Sequence, residues 1–354
     1  MLSPNALKVL SALGVYERIR TKGYNFEYLE YRNASGKVIE TQEFGSEEKY
    51  GFKGLRIYRY VLIDELLAML KERNVKIEFG KKFSKVVSET ESGVTWEFTD
   101  RTQHSDSLLV GADGIHSTVR KYLYPDLTPK FTGMAGITAA VPTTQLKLPP
   151  GYHIPVTLTS EKGAFVIAPQ QVDGSEVLIG KQLRLEDRDR AGWDEYFADK
   201  SALVDFLHSN NEPFPEFVHN AASNIPHDKI NVWPFYIVPK LDKWTSNNRR
   251  VVILGDAAHA IPPSAGQGIN QAFEDVYIFA LLIGKAGKVN VQDMLAFWQS
   301  YRQERIEKVM MLNRQIDLRR MPKQGGNSEE EPIELGWLYE PSFEKEVDEW
   351  IAKQ

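Results

Sequence analysis

One stretch, residues 250–284, limits what this chain can fold into more than any other. Val251-Val252-Ile253-Leu254 is an unbroken apolar run, the pattern of a strand buried on both faces, and it ends in Gly255-Asp256-Ala257-Ala258-His259. The glycine lets the backbone turn closely, and the aspartate then stands at the carboxyl end of the strand, where open α/β sheets bind ligands. A carboxylate there can accept hydrogen bonds from the hydroxyls of a sugar-alcohol chain. Ile261-Pro262-Pro263-Ser264-Ala265-Gly266-Gln267-Gly268-Ile269-Asn270 follows and opens into an apolar helix over Gly268–Gly284. The prolines fix the loop, and the glycines let something flat approach its backbone. The helix start adds unpaired N–H groups and partial positive charge, suited to a planar ring that becomes negative. Gly-Asp alone serves equally well as a purely structural turn; the whole combination is a far narrower signature.

A second strand–glycine–carboxylate unit is Leu108-Leu109-Val110-Gly111-Ala112-Asp113-Gly114-Ile115-His116-Ser117-Thr118-Val119-Arg120. On its residues alone, either Asp113 caps a helix and Arg120 is a surface charge, or Asp113 organises a phosphate site. A third signal is Ile57-Tyr58-Arg59-Tyr60-Val61-Leu62-Ile63-Asp64-Glu65-Leu66-Leu67 at the start of an amphipathic helix over Arg59–Arg73. Arg59 is either an exposed helix-start arginine or a fixed cation for phosphate. The chain has no cysteine. Disulfides, thiolate zinc, cysteine-held iron–sulfur clusters and a cysteine nucleophile are therefore excluded, so redox chemistry requires an organic cofactor or a metal on oxygen and nitrogen ligands. The net charge of −5 offers no broad positive field for nucleic acid or an anionic membrane. No apolar run approaches the ~20 residues of a membrane span, and the first residues lack the order of a signal peptide, so the expected location is the cytoplasm.

Gly255-Asp256-Ala257-Ala258-His259 with Pro263-Ser264-Ala265-Gly266-Gln267-Gly268-Ile269-Asn270 resembles an FAD fingerprint of class A flavoprotein monooxygenases, the para-hydroxybenzoate and salicylate hydroxylase type, including fungal hydroxylases of secondary metabolism. Gly111-Ala112-Asp113-Gly114 matches the family's second motif, and Arg59 with Leu62 its Arg-x-x-Leu helix, although Tyr58 stands where histidine is frequent. The resemblance implies FAD contacts at Arg59, Asp113, Asp256, Gly266, Gln267, Gly268, Ile269 and Asn270. It implies reduction of FAD by NADH or NADPH, formation of a flavin C4a-hydroperoxide with molecular oxygen, and hydroxylation of a small aromatic or enolic substrate. A flavin-dependent reductase is the alternative enzyme; the Pro-x-x-Gly-Gln-Gly form of the loop favours the hydroxylase. No residue stands out as acid or base. His259 is read as orienting its loop rather than transferring a proton, and Trp233, Phe235 and Tyr236 as core or pocket wall. No metal site is expected.

The implied fold is α/β: a Rossmann-like FAD-binding domain from residues 1–130 and 240–320, an inserted β-rich substrate domain at 131–239, C-terminal helices and a tail at 321–354. Residues 21–50 and 75–105 are candidates to join the sheet of the substrate side. Strand-like runs are read at Tyr24–Phe44 with a turn at Asn33-Ala34-Ser35-Gly36, and at Val75–Val87, Gly93–Thr99 and Ser107–Val110. One helix is read over Trp193–His208 and a mobile loop at Lys323–Pro332. The family's Gly-x-Gly-x-x-Gly unit is not found; Leu2-Ser3-Pro4-Asn5-Ala6-Leu7, which follows that unit in the family, stands at the start. The expectation is a shortened gene model or fragment, with a degenerate, inactive relative as the rival.

Overall fold

The computed structural model describes residues 1–285, 287, 289–321 and 334–354; the loop read at Lys323–Pro332 lies outside the described residues. The chain forms two compact units. One comprises residues 1–66, 131–235 and 312–340, the other 67–130, 236–311 and 341–354.

The first unit is built on a seven-stranded sheet in the order Ile230–Ile237, Lys130–Pro142, Glu176–Arg184, Gly163–Pro169, Val156–Ser160, Tyr28–Asn33, Val38–Glu43. Neighbours are antiparallel where the register is given, except that Val156–Ser160 runs parallel to Tyr28–Asn33, with Val156 opposite Glu30. The turn at Asn33–Gly36 closes with Asn33 Oδ1 accepting from Lys37 N at 2.9 Å, and Gly36 supplies the left-handed φ of 84°. Side chains alternate across a sheet. Ile137, Ala139 and Val141 thus share a face with Val177, Ile179, Phe165, Ile167, Val156 and Leu158, and this face packs on Leu203, Leu207, Phe217, Val218 and Ala221 of the helices Lys200–His208 and Glu216–Ala222. Lys181 continues the row of Ile179, and its ammonium donates to Phe206 O at 3.2 Å and to Ser209 O. That places a cation where the last carbonyls of Lys200–His208 lack partners, and burial lowers its pKa to about 8.

The second unit contains a parallel pair, Leu109–Gly111 with Val251–Ile253, in register Leu109–Val251 and Gly111–Ile253. It also holds a three-stranded antiparallel sheet of Phe83–Glu89, Val94–Phe98 and Gln103–Asp106. Val251, Val252 and Ile253 are wholly buried, as the apolar run requires. Beside the helix Gly268–Ile283 packs the helix Phe343–Ile351, joined by Tyr277 Oη donating to Glu344 Oε1 at 2.6 Å, while Trp350 stacks on Phe297 at 4.6 Å.

The structure departs from the sequence reading in several respects. A boundary between the units falls between Lys130 and Phe131, but residues 1–66 group with 131–235 rather than with 67–130. Of the two segments considered for the substrate-side sheet, 21–50 supplies two of its strands, whereas 75–105 makes the separate three-stranded sheet. The helix read over Trp193–His208 is two helices, Arg190–Ala198 and Lys200–His208, because Asp199 breaks the first and caps the second by accepting from Ala202 N at 3.0 Å. The strand read over Val75–Val87 begins only at Phe83. Val75, Ile77 and Phe79 keep the alternation but are 50%, 40% and 77% exposed. Alternation proposes a strand, but only a neighbour with free N–H and C=O groups makes one.

Candidate cofactor-binding site

The parallel pair brings both glycine–carboxylate turns to the same end of two adjacent strands. Leu254 N donates to Gly111 O at 3.1 Å, so the register carries into the turns. Arg120 ties them further. Its guanidinium donates to Ile115 O at 2.6 Å in its own loop and to Ala257 O at 2.9 Å in the other. A surface charge on one of the two readings of the sequence, Arg120 is 2% exposed; burial lowers its pKa and Asp113 opposes that shift. A long side chain can reach two backbone carbonyls of neighbouring turns, and nothing in the sequence signals the second.

Asp113 is consumed by its own loop. One carboxylate oxygen accepts from Ser117 Oγ, the other from Thr118 N at 2.7 Å and Val119 N at 3.1 Å. Ser117 Oγ accepts in turn from Arg120 N at 2.8 Å, ahead of the short helix Arg120–Leu123. Gly111 cannot carry a side chain, since a Cβ there would lie 2.7 Å from Val119.

Asp256 is the opposite case. It is exposed while residues 251–255 and 257–260 are buried, and its carboxylate has no hydrogen-bond or ion-pair partner among the described residues. Gly255 before it has φ +58° and ψ −142°, a conformation that side-chain-bearing residues avoid. Its N–H donates to Asp275 Oδ2 at 2.8 Å, and its carbonyl accepts from Ala258 N and His259 N, both at 2.9 Å.

The loop from Ile261 delivers the helix Gly268–Ile283 to the same unit. Gly266 turns with φ +66°, and Asn270 Nδ2 donates back to Gly266 O at 2.7 Å. Gln271 N donates to Gln267 O at 2.9 Å. The N–H groups of Gly268 and Ile269 have no partner among the described residues. A Cβ on Gly268 would meet nothing within 4 Å, and Ile269 is 42% exposed. Gln267 and Asn270 are buried, and their bonds within the loop show them serving its shape.

His259 is 6% exposed, with Nε2 2.6 Å from Asp275 Oδ2 and its ring 4.9 Å from that of Trp244. Asp275 also accepts from Arg302 Nε at 2.7 Å. Burial pushes the Asp275 carboxyl up, but His259 and Arg302 together outweigh it and hold it below the ordinary value. Arg302 reaches Glu274 and Gln271 as well, and Arg305 donates from Nε to Glu274 Oε2 at 2.7 Å. Asp275, Glu274, Gln271 and Arg302 were missed in the sequence; Glu274 and Asp275 within an otherwise apolar helix were the available signal. Arg59 belongs to the other unit, exposed at the start of the helix Arg59–Glu72, with its guanidinium 5.1 Å from the centre of the Trp233 ring.

A free carboxylate at a strand end, two open helix-start N–H groups, an exposed Ile side chain and a glycine facing open space suit a ligand that is polyol at one end and planar at the other. FAD is such a ligand, and the residues present fit it. The groove of about 670 Å³ between residues 240–249 and the helix Val291–Arg320 contains none of them.

A family model described as "FAD binding domain" matches residues 1–313. Hispidin-3-hydroxylase of Neonothopanus nambi is 27% identical over 338 residues, covering 86% of this chain and 75% of that protein. A 3-amino-4-hydroxybenzoate 2-monooxygenase of Streptomyces platensis is 28% identical over 324 residues, covering 89% and 76%. Among solved structures, HpxO of Klebsiella pneumoniae complexed with FAD and uric acid shares the fold with a TM-score of 0.75 at 19% identity, over 99% of this chain and 82% of that one. The chain thus belongs to the FAD-binding-domain family and, within it, to the FAD-dependent monooxygenases of the class A type.

Proposed function

We propose that this monooxygenase uses NADH or NADPH as reductant and hydroxylates a small, electron-rich aromatic or enolic molecule. The observation that carries the reading is the unpaired Asp256 carboxylate in the same unit as the open N–H groups of Gly268 and Ile269. When bound, FAD supplies the hydride acceptance and oxygen activation that no side chain of a cysteine-free chain can provide. Asp256 accepts hydrogen bonds from the sugar-alcohol hydroxyls and so fixes the cofactor's rotation. The Gly268 and Ile269 N–H groups, at the positive end of a 16-residue helix, stabilise negative charge on the ring without reorganising. Ile269 and the loop glycines give the ring an apolar, close-fitting wall that excludes water. Asp113 holds its loop, and Gly266, Gln267 and Asn270 hold theirs. Arg59, with no anionic partner among the described residues, is the candidate cation for the FAD phosphates.

The relatives support the substrate class: their names specify hispidin, 3-amino-4-hydroxybenzoate and, for a Pseudomonas fluorescens enzyme, 6-hydroxynicotinate. Fungal and Streptomyces relatives fit a role in secondary metabolism. No helix of the described residues is long and apolar enough to cross a membrane, and we place the protein in the cytoplasm. The test is oxygen uptake by the FAD-loaded chain with NADH or NADPH against a panel of phenols, hydroxybenzoates and hydroxypyrones. Substrate-dependent uptake with one labelled oxygen atom in the product is expected. Nicotinamide oxidation with substrate reduced and no oxygen inserted would replace this reading by a flavin-dependent reductase.

A further inference from the structure

The Gly255–Asp256 turn is held from behind by a buried carboxylate twenty positions later in the chain. Asp275 is wholly buried, accepts the Gly255 N–H on Oδ2 at 2.8 Å, and shares that oxygen with His259 Nε2 at 2.6 Å. Its other oxygen takes Arg302 Nε at 2.7 Å. Arg302, also wholly buried, is fully engaged: Nη1 on Glu274, and Nη2 on Gln271 O at 3.2 Å and Gln271 Oε1 at 2.5 Å. Gln271 Nε2 passes the chain to Gln267 Oε1 at 3.3 Å, the residue just before the helix start. A continuous set of hydrogen bonds therefore links the turn that presents Asp256 to the loop that presents Gly268 and Ile269. Hydrophobic packing would hold these elements more cheaply, since burying ions is costly unless every group is matched. What a matched network adds is a fixed distance and orientation.

Resting on the FAD reading above, we propose that Asp275 and Arg302 are positioning residues. Acting through Gly255, they set the spacing between the Asp256 carboxylate and the Gly268–Ile269 N–H groups to the span of one cofactor. Neither touches the cofactor. Asp275→Asn keeps the shape but turns an acceptor into a donor facing Gly255 N–H, His259 or Arg302. Arg302→Lys keeps the charge but cannot bridge Glu274, Asp275 and Gln271 together.

The test uses the full chain, flavin-free, titrated with FAD by flavin fluorescence, together with hydrogen exchange over residues 251–260. Asp275→Asn is expected to weaken FAD binding at least tenfold and to speed exchange at Gly255 at least tenfold. Asp256→Ala weakens binding comparably and leaves that amide protected. Because Asp275 acts through the turn that carries Asp256, the double variant is expected within about twofold of the weaker single variant. Binding by Asp275→Asn within twofold of wild type, or effects that multiply in the double variant, would overturn the proposal. Should Asp275→Asn not fold, Arg302→Lys carries the test with a loss of about threefold, and no loss overturns the proposal. Wild type and Asp256→Ala binding FAD equally poorly would instead remove the cofactor reading, and this proposal with it.

Discussion

Two turns of almost the same composition lie side by side in this protein and use their aspartates in opposite ways. After the strand Leu109–Gly111, Asp113 is turned inward and accepts from Ser117 Oγ, Thr118 N and Val119 N. After the strand Val251–Ile253, Asp256 is exposed and bonds to nothing among the described residues. The second turn is no less supported, since Asp275 does from the adjacent helix what Asp113 does from within its own loop. A loop that supplies its own acceptor has none left to offer a ligand. A loop braced by another element keeps its carboxylate available. Free polar groups at a binding site therefore call for support from elsewhere in the chain.

The comparison can be broken most forcefully by removing the brace. Arg302→Ala leaves Glu274 and Asp275 buried with diminished compensation, and breaking a buried pair from one side costs about 3–5 kcal/mol. Denaturant unfolding of the flavin-free chain should show a loss of that order; a loss below about 1 kcal/mol would mean the network is not a brace. A narrower test sets the two aspartates against each other. Asp113→Ala removes a cap and its backbone bonds and should lower flavin-free stability by about 1–2 kcal/mol. Asp256→Ala, a surface change, should alter it by less than about 0.5 kcal/mol while FAD affinity falls. Equal stability losses would erase the distinction.

Acid sharpens it further. The Asp275 carboxyl lies below its ordinary value in the folded chain because His259 and Arg302 outweigh the effect of burial. Its contribution to stability is thus present above the unfolded value near ~3.9, and is lost as pH falls through the lower folded value. The wild-type unfolding free energy should drop below about pH 4, with a shallower drop in Asp275→Asn; parallel curves would deny the charge its role. The smallest effect concerns Arg59, outside both turns. Trp233→Leu removes the ring beneath an exposed guanidinium, worth about 0.5–1 kcal/mol, and thermal unfolding should register no more than that.

How far the sequence disclosed all this depends on how local each signal was. The buried strand, the Gly255 turn and the helix from Gly268 were legible because each is written in consecutive residues. The roles of the two aspartates were not, because Asp113 and Asp256 both follow a strand and a glycine, and what faces each is set by the fold. Arg120 misled for the same reason: its partner Ala257 O lies 137 positions away. The parallel pairing of Tyr28–Asn33 with Val156–Ser160 joins distant segments, so the association of residues 1–66 with 131–235 could not be read from periodicity. Glu274 and Asp275 in an apolar helix were visible as an anomaly, without any indication that Arg302 would answer them.

The stretch Val75–Phe79 has a consequence of its own. It belongs to no helix or strand, its apolar side chains are exposed, and among the described residues no ladder uses its backbone. In the same unit the strand Leu109–Gly111 pairs, among the described residues, only with Val251–Ile253, and its Val110 is 38% exposed. Such edges are templates: any polypeptide with a matching alternation can dock by main-chain bonding. In a concentrated preparation the nearest such polypeptide is another molecule of the same kind, so clumping would begin at these residues, and a lysine in place of Phe79 is where a protein chemist should first intervene.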